Sequence, residues 1–199
     1  MNAVVKNVRL LFGLLILWSL PACANMQQLS NLKLANFELD RVSDMSLAGI
    51  NVQNLKSANI SGVDLIRLTS AVYTRSVPLS FTLHVGAQLP AQVPVKAALS
   101  TMEWTLFIQD KQAVSGVVNQ AIDLPAGVKT DIPVQVNLNA VDFFEGNAQN
   151  ILSLVKNLVG QGDVPVNLKL VARPTFKTPI GNFRYPQNIE IVNRTVANP

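Results

Sequence analysis

The chain has 199 residues, with 16 Lys+Arg against 12 Asp+Glu, a formal net charge of +4, one histidine and one cysteine. A lone cysteine excludes an internal disulfide, and a lone histidine excludes any site built on several imidazoles. Only 14% of the residues are charged and no Lys/Arg run is interleaved with aromatics, so the electrostatic footprint of a nucleic-acid binder is absent.

The first residues carry the three parts of a secretory signal. Lys6 and Arg9 supply the positive region, and Leu10 to Leu20 is an uncharged apolar run. That run is too short to span a hydrocarbon core, which needs roughly 20 apolar residues. Leu20-Pro21-Ala22-Cys23 follows, and it resembles a bacterial lipobox, with cleavage between Ala22 and Cys23 and acyl chains on Cys23. Each buried CH₂ of such a chain contributes about 0.8 kcal/mol, so two or three chains anchor firmly. Two other readings use the same residues: Ala22-Cys23-Ala24 fits ordinary A-x-A cleavage, which would release a soluble protein, and Cys23 could be a structural thiol. The expected organisation is a signal peptide over 1–22, a lipidated tether over 23–31 and one β-sandwich domain over 32–196. Ala24, in place of an Asp after the cysteine, favours the outer membrane facing the periplasm; a soluble periplasmic or secreted protein is the alternative.

Without residues 1–23, 176 residues remain (199 − 23), enough for one domain with an ample core. Lys6 and Arg9 leave with the signal, so 14 basic residues (16 − 2) face 12 acidic ones, a balance of +2. The remainder contains no second long apolar segment.

Alternation of apolar and polar residues then dominates. Phe37 and Leu39 alternate with Glu38 and Asp40, and 79–85 (LSFTLHV) alternates over seven residues. Trp104, Leu106 and Ile108 share a parity, as do Val134, Val136 and Leu138; Val166, Leu168 and Leu170; and Ile189 and Ile191. Turn signals lie between them at Gly86, Pro90 and Pro94, Asp110-Lys111, Pro125-Ala126-Gly127 and Thr178-Pro179-Ile180-Gly181. Short strands with frequent turns predict a mainly β fold, an immunoglobulin- or fibronectin-like sandwich with one or two short helices. The helices are expected over 151–159, ended by Gly160 and Gly162, and around Val63, Ile66, Leu68 and Val72 before Pro78. Both read as single-faced lids over the sandwich, with membrane-surface binding the alternative. The Leu47–Ile66 stretch also reads as two strands around Asn54–Ala58.

Over residues 99–186 the order of short motifs resembles the type 2 late embryogenesis abundant (LEA type 2, or WHy domain) family. Trp104-Thr105-Leu106-Phe107-Ile108 with Ala113-Val114-Ser115-Gly116 resembles its strand-turn-strand, and Ile122-Asp123-Leu124-Pro125-Ala126-Gly127 its I-P-A-G turn. Ile132-Pro133-Val134-Gln135-Val136, Asp163-Val164-Pro165-Val166-Asn167-Leu168 and Lys177-Thr178-Pro179-Ile180-Gly181 resemble its V-P-V-x-V, V-P-Y-x-L and T-P-x-G segments. One departure is 85–90 (VGAQLP), where the family usually has Asn-Pro. The resemblance implies a sandwich, a link to stress or desiccation tolerance and no established enzymatic activity. It brings no binding residues with it.

No residue set predicts catalysis. His84 falls on the polar parity of its strand and reads as solvent-facing, without the partners of a metal or triad site. The acidic residues are scattered mostly near turns, and Asp142 and Glu145 fit capping or dipole roles. No G-x-S-x-G, Walker, H-E-x-x-H or EF-hand spacing is present. Trp104, Phe176, Phe183 and Tyr185 read as core, and of the adjacent Phe143-Phe144 one is expected to be exposed unless a helix begins there. Asn59-Ile60-Ser61 and Asn193-Arg194-Thr195 match glycosylation acceptors by chance in a bacterial lipoprotein.

The leading expectation is therefore a non-enzymatic, membrane-anchored lipoprotein with no catalytic residues, no metal and no cofactor. Its partners are the membrane, through acyl chains on Cys23, and an unidentified protein or apolar ligand; nucleic acid is excluded. A carrier that opens between its sheets to hold a lipid, under the 147–160 helix, is the second reading. An enzyme with an unfamiliar site is the third.

Overall fold

The computed structural model describes residues 35–52, 61–91, 97–142, 151, 153, 156, 166–179 and 181–196. The signal, Ala22, Cys23 and the tether lie outside them, as do Phe143, Phe144, Glu145 and Asn59.

Two antiparallel sheets face each other. The first has the order β2-β1-β3-β7, built from β1 (Asn36–Leu47), β2 (Ile50–Asn51), β3 (Pro78–Gln88) and β7 (Lys129–Asn139). The second has the order β10-β8-β4-β5, from β4 (Ala97–Ile108), β5 (Lys111–Val118), β8 (Val166–Thr178) and β10 (Ile189–Val196). Two short strands extend it: β6 (Ile122–Leu124) on β4 and β9 (Gly181–Arg184) on β8. The expected sandwich is what the chain forms.

The alternating residues fill the space between the sheets. Leu79, Phe81, Leu83, Val85 and Ala87 of β3 are all buried, and Ile132, Val134 and Val136 of β7 continue the layer. Opposite them stand Met102, Trp104, Leu106 and Ile108 of β4 and Leu168, Leu170 and Phe176 of β8. In β4 the inward parity changes between Leu99 and Met102, where the ladder to β8 slips at Leu99/Thr101. A bulge of that kind inserts one residue and turns the following side chains over. Each large apolar side chain buried here contributes about 1.5–3 kcal/mol relative to exposure.

Pro174 stands in a central strand, where a missing N–H normally breaks a ladder. It is tolerated because β10 pairs with β8 only up to Ala172 and β9 only from Thr175. In the gap between them Tyr185 N–H donates to the Pro174 carbonyl (3.0 Å), and Arg173 Nε donates to the Tyr185 carbonyl (2.9 Å).

Several local expectations are corrected. Gly86 is no turn; it is a buried residue inside β3. Its missing side chain leaves room for the Lys129 and Asp40 side chains crossing above, since a Cβ there would stand 2.7 Å from Asp40 Oδ2. The β4–β5 turn lies at Gln109-Asp110, one residue before the predicted pair, with φ of 52° and 60°. Positive φ at both positions is the two-residue hairpin geometry whose twist matches the strands. Of the Leu47–Ile66 stretch, Leu47 ends β1, Ile50–Asn51 is a short strand and Gly62 already opens a helix, while 54–58 lie outside the described residues.

That helix, α1 (Gly62–Tyr73), starts at Ser61, whose Oγ accepts from Asp64 N–H (3.1 Å) and donates to Asp64 Oδ2 (2.7 Å). It is not the single-faced lid expected. Leu68 is its one buried residue, whereas Val63, Leu65, Ile66 and Tyr73 are 54–89% exposed. Ile151, Ser153 and Lys156 are helical and Ile151 is buried, in keeping with the second predicted helix.

The sandwich has two distinct ends. The chain enters at one, where Asn36 pairs with Gln88 and the Phe37 ring lies 6.5 Å from Phe176. At the other, Leu47 pairs with Leu79, Ala140 N–H bonds to the Val77 carbonyl and α1 feeds into β3. The eleven residues of β3 separate the ends by about 35 Å, at roughly 3.3 Å per residue.

Candidate functional site

The outer face of the β1-β3-β7 sheet brings together His84, Ser43, Asp131, Arg41, Lys129, Glu38 and Asp40. His84 of β3 is flanked by β1 on one side and β7 on the other, so its imidazole meets residues of both. Ser43 Oγ lies 2.8 Å from His84 Nε2, and Asp131 Oδ2 lies 2.7 Å from His84 Nδ1. Sequence reasoning placed His84 in solvent and the acids near turns. The first is corrected, because the ring is only 12% exposed. Of the acids, Asp110 is in the hairpin turn and Asp64 in the first turn of α1, but Asp131 and Asp44 lie on strands or their bulges. No sequence spacing signals the contact; it arises from the register that aligns Arg41 with His84 and His84 with Pro133.

Ser–His–Asp is the order of groups in a nucleophilic triad, so its geometry must be weighed. Three features make it an ionic latch instead. Arg41 Nη2 also reaches Nδ1, at 2.9 Å, and an arginine can only donate there. Nδ1 therefore accepts from Arg41 when bare and donates to Asp131 when protonated, but cannot do both. Next, the Ser43 hydroxyl donates to Asp44 Oδ2 at 2.6 Å, which directs its proton away from the imidazole. Finally, Ser43 sits on an open strand face and lines none of the recesses described below.

A second cluster lies towards the entry end of the same face. Lys129 Nζ is 2.6 Å from Glu38 Oε1 and also bonds Asp40. Asp40 first, then Glu38, holds the ammonium above its ordinary value of 10.5. The cluster reaches solvent, where such pairs contribute little each. Among the described residues no group of three His, Cys, Asp or Glu is placed to hold a metal ion.

Among the described residues, three recesses that open to solvent stand out. One, of about 500 Å³, runs between the edges of β5 and β7 and is lined by Trp104, Ser115, Gly116, Asn119, Gln135 and others, none of them charged. A second, of about 410 Å³, lies on the outer face of β4–β5 and also reaches Trp104. Trp104 lines both because Gly116, its partner across the strand pair, has no side chain to cover the indole. The third, of about 560 Å³, is at the entry end, bounded by Ala97, Leu124, Pro125, Lys177 and Pro179. None lies between the inner faces of the sheets, which Leu83, Val85, Leu106, Val134 and Leu170 fill at no more than 1% exposure.

No protein-family model matches the chain, and no curated protein matches it. Solved structures do. A protein from Archaeoglobus fulgidus is 13% identical, covering 58% of this chain and 86% of its own, with a TM-score of 0.35. A protein from Arabidopsis thaliana is 17% identical, covering 56% and 67%, with a TM-score of 0.37. A protein provisionally described as late embryogenesis abundant is 15% identical, covering 96% and 89%, also with a TM-score of 0.37.

Proposed function

We propose that this protein is a lipid-anchored, LEA type 2-like component of the bacterial envelope that works by non-covalent binding. The observation that carries the anchor is Leu20-Pro21-Ala22-Cys23, placed directly after a charged and then apolar leader. The order of the motifs over 99–186, on a chain that folds as a sandwich, supports the family likeness. Binding is favoured over catalysis because the Ser43, His84 and Asp131 side chains are tied to Arg41 and Asp44 on an open face. Transport of a lipid between the sheets is not proposed, since packed side chains occupy that space.

The anchor would join the sandwich at its entry end, where the chain runs into β1. Eleven residues, Ala24 to Leu34, separate Cys23 from Ala35 and reach at most about 40 Å. The decisive measurement is the intact mass of protein purified from its native membrane, beside a Cys23→Ser variant. Acyl chains on the wild type that vanish in the variant are expected. An unmodified chain beginning at Asn25 would refute the anchor. Protection is tested by drying a labile reporter enzyme with and without the protein; equal losses of activity would remove the link to desiccation.

A further inference from the structure

We infer that the outer edge of β5 is a docking site for an extended, uncharged polypeptide segment, which adds to the sheet as a further strand along the β5–β7 groove. The inference deepens the binding reading above and rests on it.

An edge strand leaves a row of N–H and C=O groups that a further strand can use, and soluble proteins usually guard such rows with prolines or charges. Among the described residues β5 pairs with β4 on one side and with no strand on the other. The two walls of the groove differ in their protection. On β7, Pro133 stands mid-strand between Lys129 and Asp131 on one side and Gln135 on the other. A proline is accommodated where its nitrogen faces away from the ladder. The ladder partner of Pro133 is His84 of β3, so the missing donor is on the groove side. On β5, by contrast, the one charge is Lys111 at its start, whose ammonium is drawn to the Asp142 carbonyl; residues 112–118 contain neither proline nor charge, and Val117 is 59% exposed. One wall is guarded and the other is open.

The groove also selects its occupant. Its lining residues carry no charge, and the side chains of Ser115, Asn119, Gln120, Gln135 and Asn137 offer neutral donors and acceptors. A peptide backbone is met on these terms, while a charged side chain would lose water and gain no counter-ion. Alternate side chains of an added strand point to the same face. The floor includes the edge of the Trp104 indole, which rests on Gly116 and is itself only 6% exposed, beside Val114 and Val118, an apolar surface for one such residue.

A second copy of the chain is a poorer occupant. Two-fold pairing of β5 with its own mate runs the strands antiparallel and turns the two entry ends in opposite directions. For copies tethered at one membrane surface through Cys23, that arrangement requires one tether of at most about 40 Å to be drawn out along nearly its whole length beside the sandwich, whereas a free segment needs no such extension.

The test uses the full mature protein in detergent, with a capped ten-residue peptide of alternating Thr and Val as the probe. A control peptide is N-methylated at every second residue, which keeps the side chains and removes donors from one edge. Hydrogen exchange read by mass spectrometry is expected to slow over 111–118 when the probe is added. Affinity should fall at least tenfold with the N-methylated peptide, and likewise for Val117→Lys or Val117→Asp, while Ile66→Lys on α1 binds as the parent does. Equal binding of the N-methylated peptide, protection over 62–73 in place of β5, or no binding at all would overturn the proposal. So would a concentration-dependent dimer that protects β5 without peptide. A protein that carries acyl chains yet ignores the probe overturns strand addition alone; one that binds the probe without acylation overturns the anchor alone.

Discussion

Gly116 of β5 lies directly across from Trp104 of β4, so close that a Cβ on the glycine would stand 2.5 Å from Cζ2 of the indole. The backbone of β5 thus serves as the rest on which the tryptophan lies, and the indole closes the core at the open side of the sandwich. Gly116→Ala must push the ring out of its position, because the neighbouring atoms belong to a rigid aromatic. Overpacking of this kind costs about 1–3 kcal/mol. Trp104→Phe frees the space, so adding it to Gly116→Ala should cost less than the sum of the two single changes. Urea unfolding followed by far-ultraviolet circular dichroism measures all three variants. Strict additivity would show that the two residues do not press on each other.

The two sides of α1 should respond very differently to substitution. Leu68 is 2% exposed, so Leu68→Ala leaves a cavity and is expected to cost about 2–4 kcal/mol. Ile66 is 71% exposed, and Ile66→Ser should change stability by no more than about 0.5 kcal/mol. Equal effects at the two positions would mean that the apolar outer side of α1 is covered in solution. The same denaturant titration decides it.

Strand parity was readable because the period of two is local: 79–85 announces its buried face without reference to any other segment. The Gly116–Trp104 contact was not, since it depends on which residue of β5 falls opposite the indole. Gly86 shows the same limit more sharply. Glycine ordinarily marks a turn, and only the pairing of Asp40 with Lys129, 89 residues apart, explains one in mid-strand. His84 was placed on the correct face by alternation, yet its partners come from β1 and β7, whose registers no local pattern encodes. On α1 the apolar spacing gave the helix, but spacing alone does not say which apolar residues find a core. The anchor stands at the opposite extreme, being a reading of Cys23 and its neighbours alone.

Alkaline pH should destabilise the fold through two groups acting in the same direction. Asp40 and Glu38 raise the Lys129 pKa above 10.5, and burial raises that of Tyr185 above 10.0. A raised folded value means that the folded state keeps its proton longer. Stability is then complete below the unfolded value and is lost as pH climbs towards the folded one. The midpoint of urea unfolding is therefore expected to hold steady up to about pH 10 and fall beyond it, since tyrosine and lysine titrate near there when unfolded. Tyr185→Phe removes the tyrosine share and flattens the decline. In a Tyr73→Phe protein, absorbance of the remaining phenolate at about 295 nm should appear only above its ordinary 10.0. Tyrosinate forming below that value would mean that the Tyr185 ring is not held in the Phe37–Phe176–Phe183 cluster.

The Ser43–His84–Asp131 arrangement yields the prediction on which the non-catalytic reading is most exposed. If Arg41 and Asp44 hold the network as an ionic latch, Ser43 is a poor nucleophile. A fluorophosphonate reagent, which labels activated serines, should then leave it unmodified at neutral pH. His84→Gln should cost stability, by about 0.5–1.5 kcal/mol for the neutral hydrogen bond to Ser43, with a further loss where the contacts to the charged Arg41 and Asp131 are not remade. It should do so without changing reactivity towards the reagent, because there is none to lose. Asp44→Asn and Arg41→Met probe the two restraints separately. The first weakens the acceptor that draws the Ser43 proton from the imidazole, and the second releases Nδ1 to donate to Asp131. Labelling that appears only in the double variant would mean that these two residues hold a competent triad in check. Labelling of Ser43 in the parent, abolished by His84→Gln, would make the protein a serine-dependent acyl-transfer enzyme and reverse the assignment.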